Sequence, residues 1–128
     1  MKLNDLVRRI EHTGASDAEI SAITYDSRKA GPGSLFVCLV GAWMDGHTFA
    51  RSAYDQGCRA FLAERPLDLP ADAAQILTDD TRAALAVIGA DFYGNPAEKL
   101  HLIGITGTKG KTTTALLTAA ILNESGLP

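Results

Sequence analysis

The residues best suited to chemistry lie in a glycine-rich segment from Thr106 to Thr113 that reads Thr-Gly-Thr-Lys-Gly-Lys-Thr-Thr. An apolar stretch precedes it and a helical pattern follows, and a turn between strand and helix directs backbone N–H groups at an anion. Gly107 and Gly110 let the backbone wrap closely around such a group. Lys111 would reach the β- and γ-phosphates, and the Thr112 hydroxyl would ligate Mg²⁺. The segment therefore predicts a site for a nucleotide phosphate.

One position of this segment departs from the common phosphate-loop pattern, Gly-x-x-x-x-Gly-Lys-Ser/Thr. That pattern places a glycine five residues before Gly110, and this sequence has Ile105 there. The competing interpretation is a plain strand, turn and helix, with threonines at the helix start and lysines in solvent. The position between an apolar stretch and a helix favours phosphate binding over that alternative.

Other reactive residue types are interpreted as structural. Cys38 and Cys58 lie in apolar neighbourhoods, with no Cys-x-x-Cys pair and no histidine at metal-ligand spacing, so we expect buried, reduced thiols. His47 follows an Asp-Gly pair and is interpreted as a residue at the start of a helix. Asp26 and Arg28 are expected to form an ion pair within a loop.

The elements that must position these residues alternate between helices and strands, which indicates an α/β fold. The patterns predict helices over residues 3–10 and 47–56, a third that Asp79 or Asp80 caps and that ends near residue 92, and a fourth over 111–125. They predict strands over residues 20–25, 35–40, 58–63, 75–77 and 100–105. The unbroken apolar run of residues 35–40 is typical of a strand buried on both faces of a parallel sheet.

A run of residues that break helices and strands, Tyr93-Gly94-Asn95-Pro96, predicts a domain boundary. Residues 1–97 would form a small α/β domain, and residues 98–128 would begin a second one with a strand, the phosphate loop and a helix. Because one strand and one helix cannot close a core, we expect the sequence to be a fragment of a longer protein.

Composition excludes several classes of protein. The 128 residues carry 12 Lys and Arg against 15 Asp and Glu, a net charge of −3, which disfavours a nucleic-acid partner or an anionic membrane surface. The longest apolar run, residues 35–40, is far short of the roughly 20 residues of a membrane-spanning helix. The first residues lack the apolar stretch of a secretory signal. We therefore expect a cytoplasmic protein without membrane insertion.

The glycine-rich segment, read as Thr-Gly-Thr-x-Gly-Lys-Thr-Thr after an apolar strand, resembles the ATP loop of the Mur ligases, which build the peptide stem of peptidoglycan. Four upstream segments resemble the amino-terminal UDP-binding domain of two branches of that family, MurE, which adds the third residue, and MurF, which adds the terminal dipeptide. They are Tyr25–Arg28, Pro32–Val37, Gly41 with Asp45–His47 and Phe49, and Gly57–Ala60. The resemblance covers roughly residues 20 to 126.

Two details favour the MurE branch over the MurF branch. The loop has Gly107-Thr108 where MurF-like sequences usually have glycine-serine, and Asp91–Pro96 resembles the Phe-Tyr-x-x-Pro end of the MurE domain. Lys109 departs from the commoner asparagine. We expect its side chain to point away from the phosphates and to leave ATP binding intact.

The resemblance implies an ATP-dependent amide ligase that adds a diamino acid to UDP-N-acetylmuramoyl-L-alanyl-D-glutamate through an acyl phosphate, and a fragment that is inert by itself. It implies that ATP and Mg²⁺ are the cofactors, that the UDP-linked substrate and an amino acid are the partners, and that the native enzyme is a monomer. The predicted ATP-binding residues are Gly107, Thr108, Lys109, Gly110, Lys111, Thr112 and Thr113. Of these, Lys111 would be catalytic and Thr112 would hold the metal.

The residues that the resemblance assigns to the UDP part of the substrate are Tyr25, Ser27, Ala42, Trp43 and Met44. Trp43, the only tryptophan, has two interpretations: it stacks on uracil, or it covers the edge of the core.

Three alternatives stay open at this point. A MurF-like ligase would share the fold and the nucleotide but extend a tripeptide. A generic phosphate-loop kinase or ATPase would leave the upstream segments unexplained. In the third alternative, residues 1–97 are a non-catalytic module that binds a UDP-sugar.

Overall fold

Four parallel strands form one sheet, and their order in the sheet is their order in the chain. They are β1 (Ala22–Thr24), β2 (Ser34–Val37), β3 (Ala60–Ala63) and β4 (Ala74–Leu77). The computed structural model describes residues 1–126. It divides them into a first unit, Met1–Pro96, which holds the sheet, and a second unit that begins at Ala97. The assignment of residues 1–97 and 98–128 to separate functional domains stays a prediction.

Helices connect and flank the strands. They are α1 (Leu3–Val7), α2 (Ala50–Asp55), α3 (Thr81–Phe92) and α4 (Lys111–Glu124), with short 3₁₀ turns at Ser27–Lys29, Gly46–Phe49 and Pro96–Lys99. From the sequence, either Asp79 or Asp80 could cap the third helix. The structure assigns it to Asp80, whose carboxylate accepts the backbone N–H of Ala83 at 2.9 Å.

The sheet has a core on each face because successive side chains of a strand point to opposite sides. Leu35 and Val37 of β2 belong to the core that contains α1 and α3 residues. Phe36 points the other way, into the core that contains Ala50 and Ala53 of α2. Its ring meets that of Phe61 edge to face, with centroids 6.2 Å apart. The first unit is therefore a three-layer structure, and its α/β class is the one that the sequence predicts.

Parallel strands place all their carboxyl ends at one edge of the sheet, where ligands of open α/β sheets commonly bind. The segment after β1 begins at Tyr25, and the long loop after β2 runs to the 3₁₀ turn at Gly46–Phe49. Glu64 follows β3 directly, and Thr78 follows β4. This edge brings together segments that are far apart in the sequence.

The predicted strand over residues 100–105 is not formed. A strand needs a neighbour for its backbone hydrogen bonds, and the described residues of the second unit include no other strand. Leu102 and Ile103 are 70% and 60% exposed, respectively. The described part of the chain also contains no helix of the length and apolarity needed to span a bilayer.

Candidate functional site

An open groove of about 600 Å³ lies where β1 and β2 end. Its lining residues are Tyr25, Asp26, Ser27, Arg28, Met44, Phe49 and Ser52. Three of the five predicted substrate contacts, Tyr25, Ser27 and Met44, are thus brought together, although Met44 comes 19 positions after Tyr25 in the chain. Apolar side chains and hydroxyls share the lining.

Ser27 is held through its backbone. The Asp26 carboxylate caps the 3₁₀ turn by accepting the Arg28 N–H at 3.0 Å. The Gln56 amide, which follows α2, donates to the Ser27 carbonyl at 2.7 Å. Within residues 1–126 the Ser27 hydroxyl makes no hydrogen bond, so its polar atom is available to a ligand in the groove.

Asp26 and Arg28 form the ion pair expected from the sequence. Nε and Nη2 of Arg28 donate to the two carboxylate oxygens at 2.9 and 2.8 Å. Hydrogen bonds from the Arg28 side chain and backbone lower the pKa of Asp26 from its ordinary value of 3.8 to about 2. The carboxylate is therefore ionised at neutral pH and holds the guanidinium at the groove.

The loop after β2 displays the other predicted contacts. The Gly41 N–H donates to the Met44 carbonyl at 2.8 Å and closes a tight turn. Trp43, at the tip of that turn, is 96% exposed, and Met44 is 66% exposed. Ala42 and Trp43 do not line the groove. The interpretation that Trp43 covers the core edge is wrong, because the turn points its indole into solvent.

The base of this loop is fixed by a cluster that the sequence interpretation missed. Asp45 accepts hydrogen bonds from the backbone N–H of His47 at 2.9 Å, from the His47 Nδ1 at 2.6 Å and from Arg65. The Arg65 guanidinium, followed by the His47 backbone N–H, holds the pKa of Asp45 well below its usual range. The Nε2 of His47 accepts the Glu64 N–H at 2.9 Å. His47 lies in the first turn of the 3₁₀ helix Gly46–Phe49, as expected from the sequence, and its buried side chain also connects the ends of β2 and β3.

Position 46, between Asp45 and His47, is a glycine because a larger residue does not fit there. Its N–H donates to the Leu39 carbonyl at 2.7 Å. A Cβ at this position would lie 2.7 Å from the Leu39 nitrogen, closer than atoms approach without a backbone shift. The Asp-Gly-His sequence is thus a structural signature of the loop, and it was the only sequence signal that pointed to this cluster.

Both cysteines are buried and free, as expected. Burial raises the pKa of the Cys38 thiol to about 12, and it also raises the pKa of Cys58. Neither sulfur is a thiolate at neutral pH, so neither is a nucleophile. Among residues 1–126, no three His, Cys, Asp or Glu side chains are grouped to hold a metal ion.

In the second unit, the glycine-rich segment forms a turn before α4. Gly110 is the residue before the helix and has φ +77°, and Gly107 has φ +147°, a backbone conformation that glycine adopts readily. The Lys111 ammonium donates to the Gly107 carbonyl at 2.5 Å. The structure thus joins Lys111 to the start of the loop and places Thr112 and Thr113 in the first turn of α4. Thr108 and Lys109 lie in the turn itself, exposed.

Comparison with known proteins gives consistent matches. The model of the Mur ligase family, catalytic domain, matches residues 19–93, more than half of the chain. The UDP-N-acetylmuramoyl-L-alanyl-D-glutamate--2,6-diaminopimelate ligase of Syntrophomonas wolfei is 46% identical over 98% of this chain. The chain spans 26% of that relative's length.

Solved structures resemble the fold as well. MurF from Acinetobacter baumannii matches with a TM-score of 0.72 and 35% identity, over 95% of this chain and 26% of that one. MurF ligase from Thermotoga maritima in complex with ADP matches with a TM-score of 0.59 and 26% identity, over 84% of this chain and 24% of that one.

The family match falls within the unit that carries the parallel sheet and the groove. On this match, and on the agreement of the sheet with Mur ligase structures, the chain belongs to the Mur ligase family.

Proposed function

We propose that this chain is the amino-terminal part of an ATP-dependent amide ligase of the MurE type. The reaction would join a diamino acid to UDP-N-acetylmuramoyl-L-alanyl-D-glutamate in peptidoglycan synthesis. The observation that carries the proposal is the groove in which Tyr25, Ser27 and Met44 converge. The name of the Syntrophomonas wolfei relative supports the choice of substrate.

The groove has the chemistry that a nucleotide-linked substrate needs. Tyr25, Met44 and Phe49 offer apolar surface on which a flat base can lie, because aromatic and thioether groups make favourable contacts with ring faces. The hydroxyl of Ser27 is available for a hydrogen bond that orients the ligand. Trp43, exposed on the neighbouring loop, is free to fold over a bound nucleotide, so we retain it and Ala42 as proposed substrate contacts.

The glycine-rich segment fits a nucleotide phosphate. An added Cβ at Gly110 would meet no atom within 4 Å, so the space beside the loop is open. The N–H groups at the start of the 14-residue helix α4 favour an anion. We propose that residues 107–113 hold ATP, that Thr112 ligates Mg²⁺, and that the metal neutralises phosphate charge when bound.

Lys111 has the central chemical role in this proposal. A carboxylate is a poor electrophile, and phosphorylation by ATP gives it a leaving group that an amine can displace. Lys111 would exchange the Gly107 carbonyl for phosphate oxygens. With the loop N–H groups, it would then stabilise the charge that develops on the transferring phosphoryl group. We propose that the ligase acts in the cytoplasm as a monomer.

A MurF-type reaction is the second candidate, because the solved structures from Acinetobacter baumannii and Thermotoga maritima are both MurF. Its substrate would be the UDP-linked tripeptide, and its second substrate a dipeptide. The higher identity to the 2,6-diaminopimelate ligase, 46% against 35%, favours the MurE type.

The test is an acceptor assay with the full-length ligase, ATP and Mg²⁺. ADP release is measured with the UDP-linked dipeptide plus diaminopimelate or lysine, and in parallel with the UDP-linked tripeptide plus D-alanyl-D-alanine. We expect release with the first acceptor only. Release with the tripeptide alone would identify a MurF-type enzyme. Binding of UDP without ADP release in the presence of either acceptor would identify a non-catalytic module.

A further inference from the structure

The Arg28 guanidinium is hydrogen-bonded to Asp26 on one side and has N–H donors left on the other side. Its Nε and Nη2 donate to the two oxygens of Asp26, and the Asp26 carboxylate also accepts the Arg28 backbone N–H. The Arg28 side chain is nevertheless 87% exposed, whereas that of Asp26 is 24% exposed. The carboxylate is thus mostly covered, and the guanidinium faces outward.

The geometry of the guanidinium leaves donors for a second anion. Arginine has five N–H donors in a rigid plane, and the contacts to Asp26 use one on Nε and one on Nη2. Within the described part of the chain, the Nη1 donors have no partner. Because the hydrogen bonds to Asp26 are bidentate, the plane of the guanidinium is fixed before any ligand binds. This reduces the conformational entropy that the Arg28 side chain loses on binding.

The surroundings of Arg28 select the kind of anion. Among the described residues that line the groove, Arg28 is the only cation. It adjoins the Ser27 hydroxyl and shares the groove with the apolar side chains of Tyr25, Met44 and Phe49. A ligand that matches has a flat, weakly polar ring joined to a compact anionic group, as in a nucleoside diphosphate.

We infer that Arg28, oriented by Asp26, binds the diphosphate of the nucleotide-linked substrate in this groove. The inference rests on the proposed function, since that function places UDP there. It gives the Asp26–Arg28 pair a purpose beyond capping the 3₁₀ turn. A cap needs only the Asp26 oxygen that accepts the Arg28 backbone N–H, whereas the contact to the guanidinium fixes a charge at the mouth of the groove.

The test compares ligands that differ only in the anionic group. Uridine and UDP are titrated into the chain by calorimetry, and the ratio of their dissociation constants is measured for the wild type, Arg28→Gln and Arg28→Lys. The matched control is Lys29→Gln, which removes an equal charge from the next residue of the same turn, outside the groove lining. Thermal unfolding of each variant shows whether the fold is kept.

We expect the wild type to prefer UDP to uridine and Arg28→Gln to lose about tenfold or more of that preference, as for a charge-assisted hydrogen bond to phosphate. Uridine affinity and the Lys29→Gln ratio should stay near wild type, and Arg28→Lys should recover part of the loss. An unchanged ratio in Arg28→Gln would overturn the inference and leave the proposed function standing. A wild type that binds neither UDP nor uridine would overturn both.

Discussion

The Nδ1 of His47 lies 2.6 Å from the Asp45 carboxylate, and the opposite ring nitrogen accepts the Glu64 N–H at 2.9 Å. Since a backbone N–H can only donate, Nε2 carries no proton in this arrangement, and Nδ1 is the donor to Asp45. The side chain of His47 is 2% exposed. A neutral imidazole thus joins the loop after β2 to the residue after β3 and fixes the base of the loop that displays Met44 at the groove.

Replacement of His47 by alanine should destabilise the chain by about 2 to 3 kcal/mol, because it leaves the Glu64 N–H without a partner and a void where the buried imidazole was. The free energy of unfolding in urea measures the loss. His47→Asn should recover part of it, since its amide can still donate to Asp45. His101→Ala removes an exposed histidine and should cost less than about 0.5 kcal/mol. Equal stability of His47→Ala and His101→Ala would contradict the conclusion that His47 connects the loop after β2 to Glu64.

Asp45 should make the stability of the chain sensitive to acid. Its pKa is lowered in the folded state, chiefly by the hydrogen bond from Arg65. Its ionised form therefore stabilises the fold above the ordinary value of 3.8, and that contribution is lost as the pH falls through the lower folded-state value. The difference in free energy of unfolding between wild type and Asp45→Asn should reach its full value near pH 5 and decrease toward pH 2.

Urea midpoints across that pH range measure this difference. The other aspartates with lowered pKa values, Asp26, Asp72 and Asp91, titrate in both proteins and cancel. Asp68→Asn, a change at an exposed aspartate that makes no hydrogen bond within residues 1–126, should run parallel to the wild type. A constant gap between wild type and Asp45→Asn would show that the carboxylate charge has no such role.

Ser27→Ala in the full-length ligase should raise the KM for the UDP-linked substrate by about tenfold, the loss of one hydrogen bond to a polar ligand group. The KM for ATP should stay nearly constant, because ATP is proposed to bind the loop at residues 107–113. Steady-state rates with each substrate varied in turn provide the measurement. Ser52→Ala, a second hydroxyl in the groove lining, serves as the comparison. An equal effect on both substrates would argue for a folding defect instead.

Lys111→Ala in the full-length ligase should reduce turnover by about 10²-fold or more, since it removes the charge that stabilises the transferring phosphoryl group. Lys109→Ala should have a mild effect. Lys111 bonds to the Gly107 carbonyl at the start of the loop, whereas Lys109 is exposed and makes no hydrogen bond within the described residues. Phosphate release at saturating Mg²⁺ measures both variants. The opposite order of effects would mean that the register of the loop is different.

Sequence reasoning predicted much of the fold because the signals are local. The apolar hexamer at residues 35–40 predicted a buried strand, and the structure forms β2 over Ser34–Val37. Hydrophobic spacing and an aspartate cap located α3 within one residue of its start. The strand predicted over residues 100–105 is absent, because a strand is stabilised by its neighbour, and no local pattern supplies that neighbour.

In the candidate site, too, contacts between residues near in the sequence were predictable and contacts between distant residues were not. Adjacent residues were predictable from the sequence alone: the Asp26–Arg28 pair, and the glycines and lysine of the loop before α4. The partners of Asp45 were not, since Arg65 lies 20 residues away and Glu64 presents only its backbone N–H to His47.

The amino-acid sequence by itself determined the α/β class, the buried thiols, the Asp26–Arg28 contact and the glycine-rich turn, because each depends on residues within a few positions of one another. Only the tertiary structure decided that Tyr25, Ser27 and Met44 share one groove, that Trp43 faces solvent and that His47 is buried between two loops. The exposure of Trp43 follows from the tight turn closed by Gly41 and Met44. The other two outcomes depend on parallel strands, whose carboxyl ends meet at one edge of the sheet and so bring distant segments into contact.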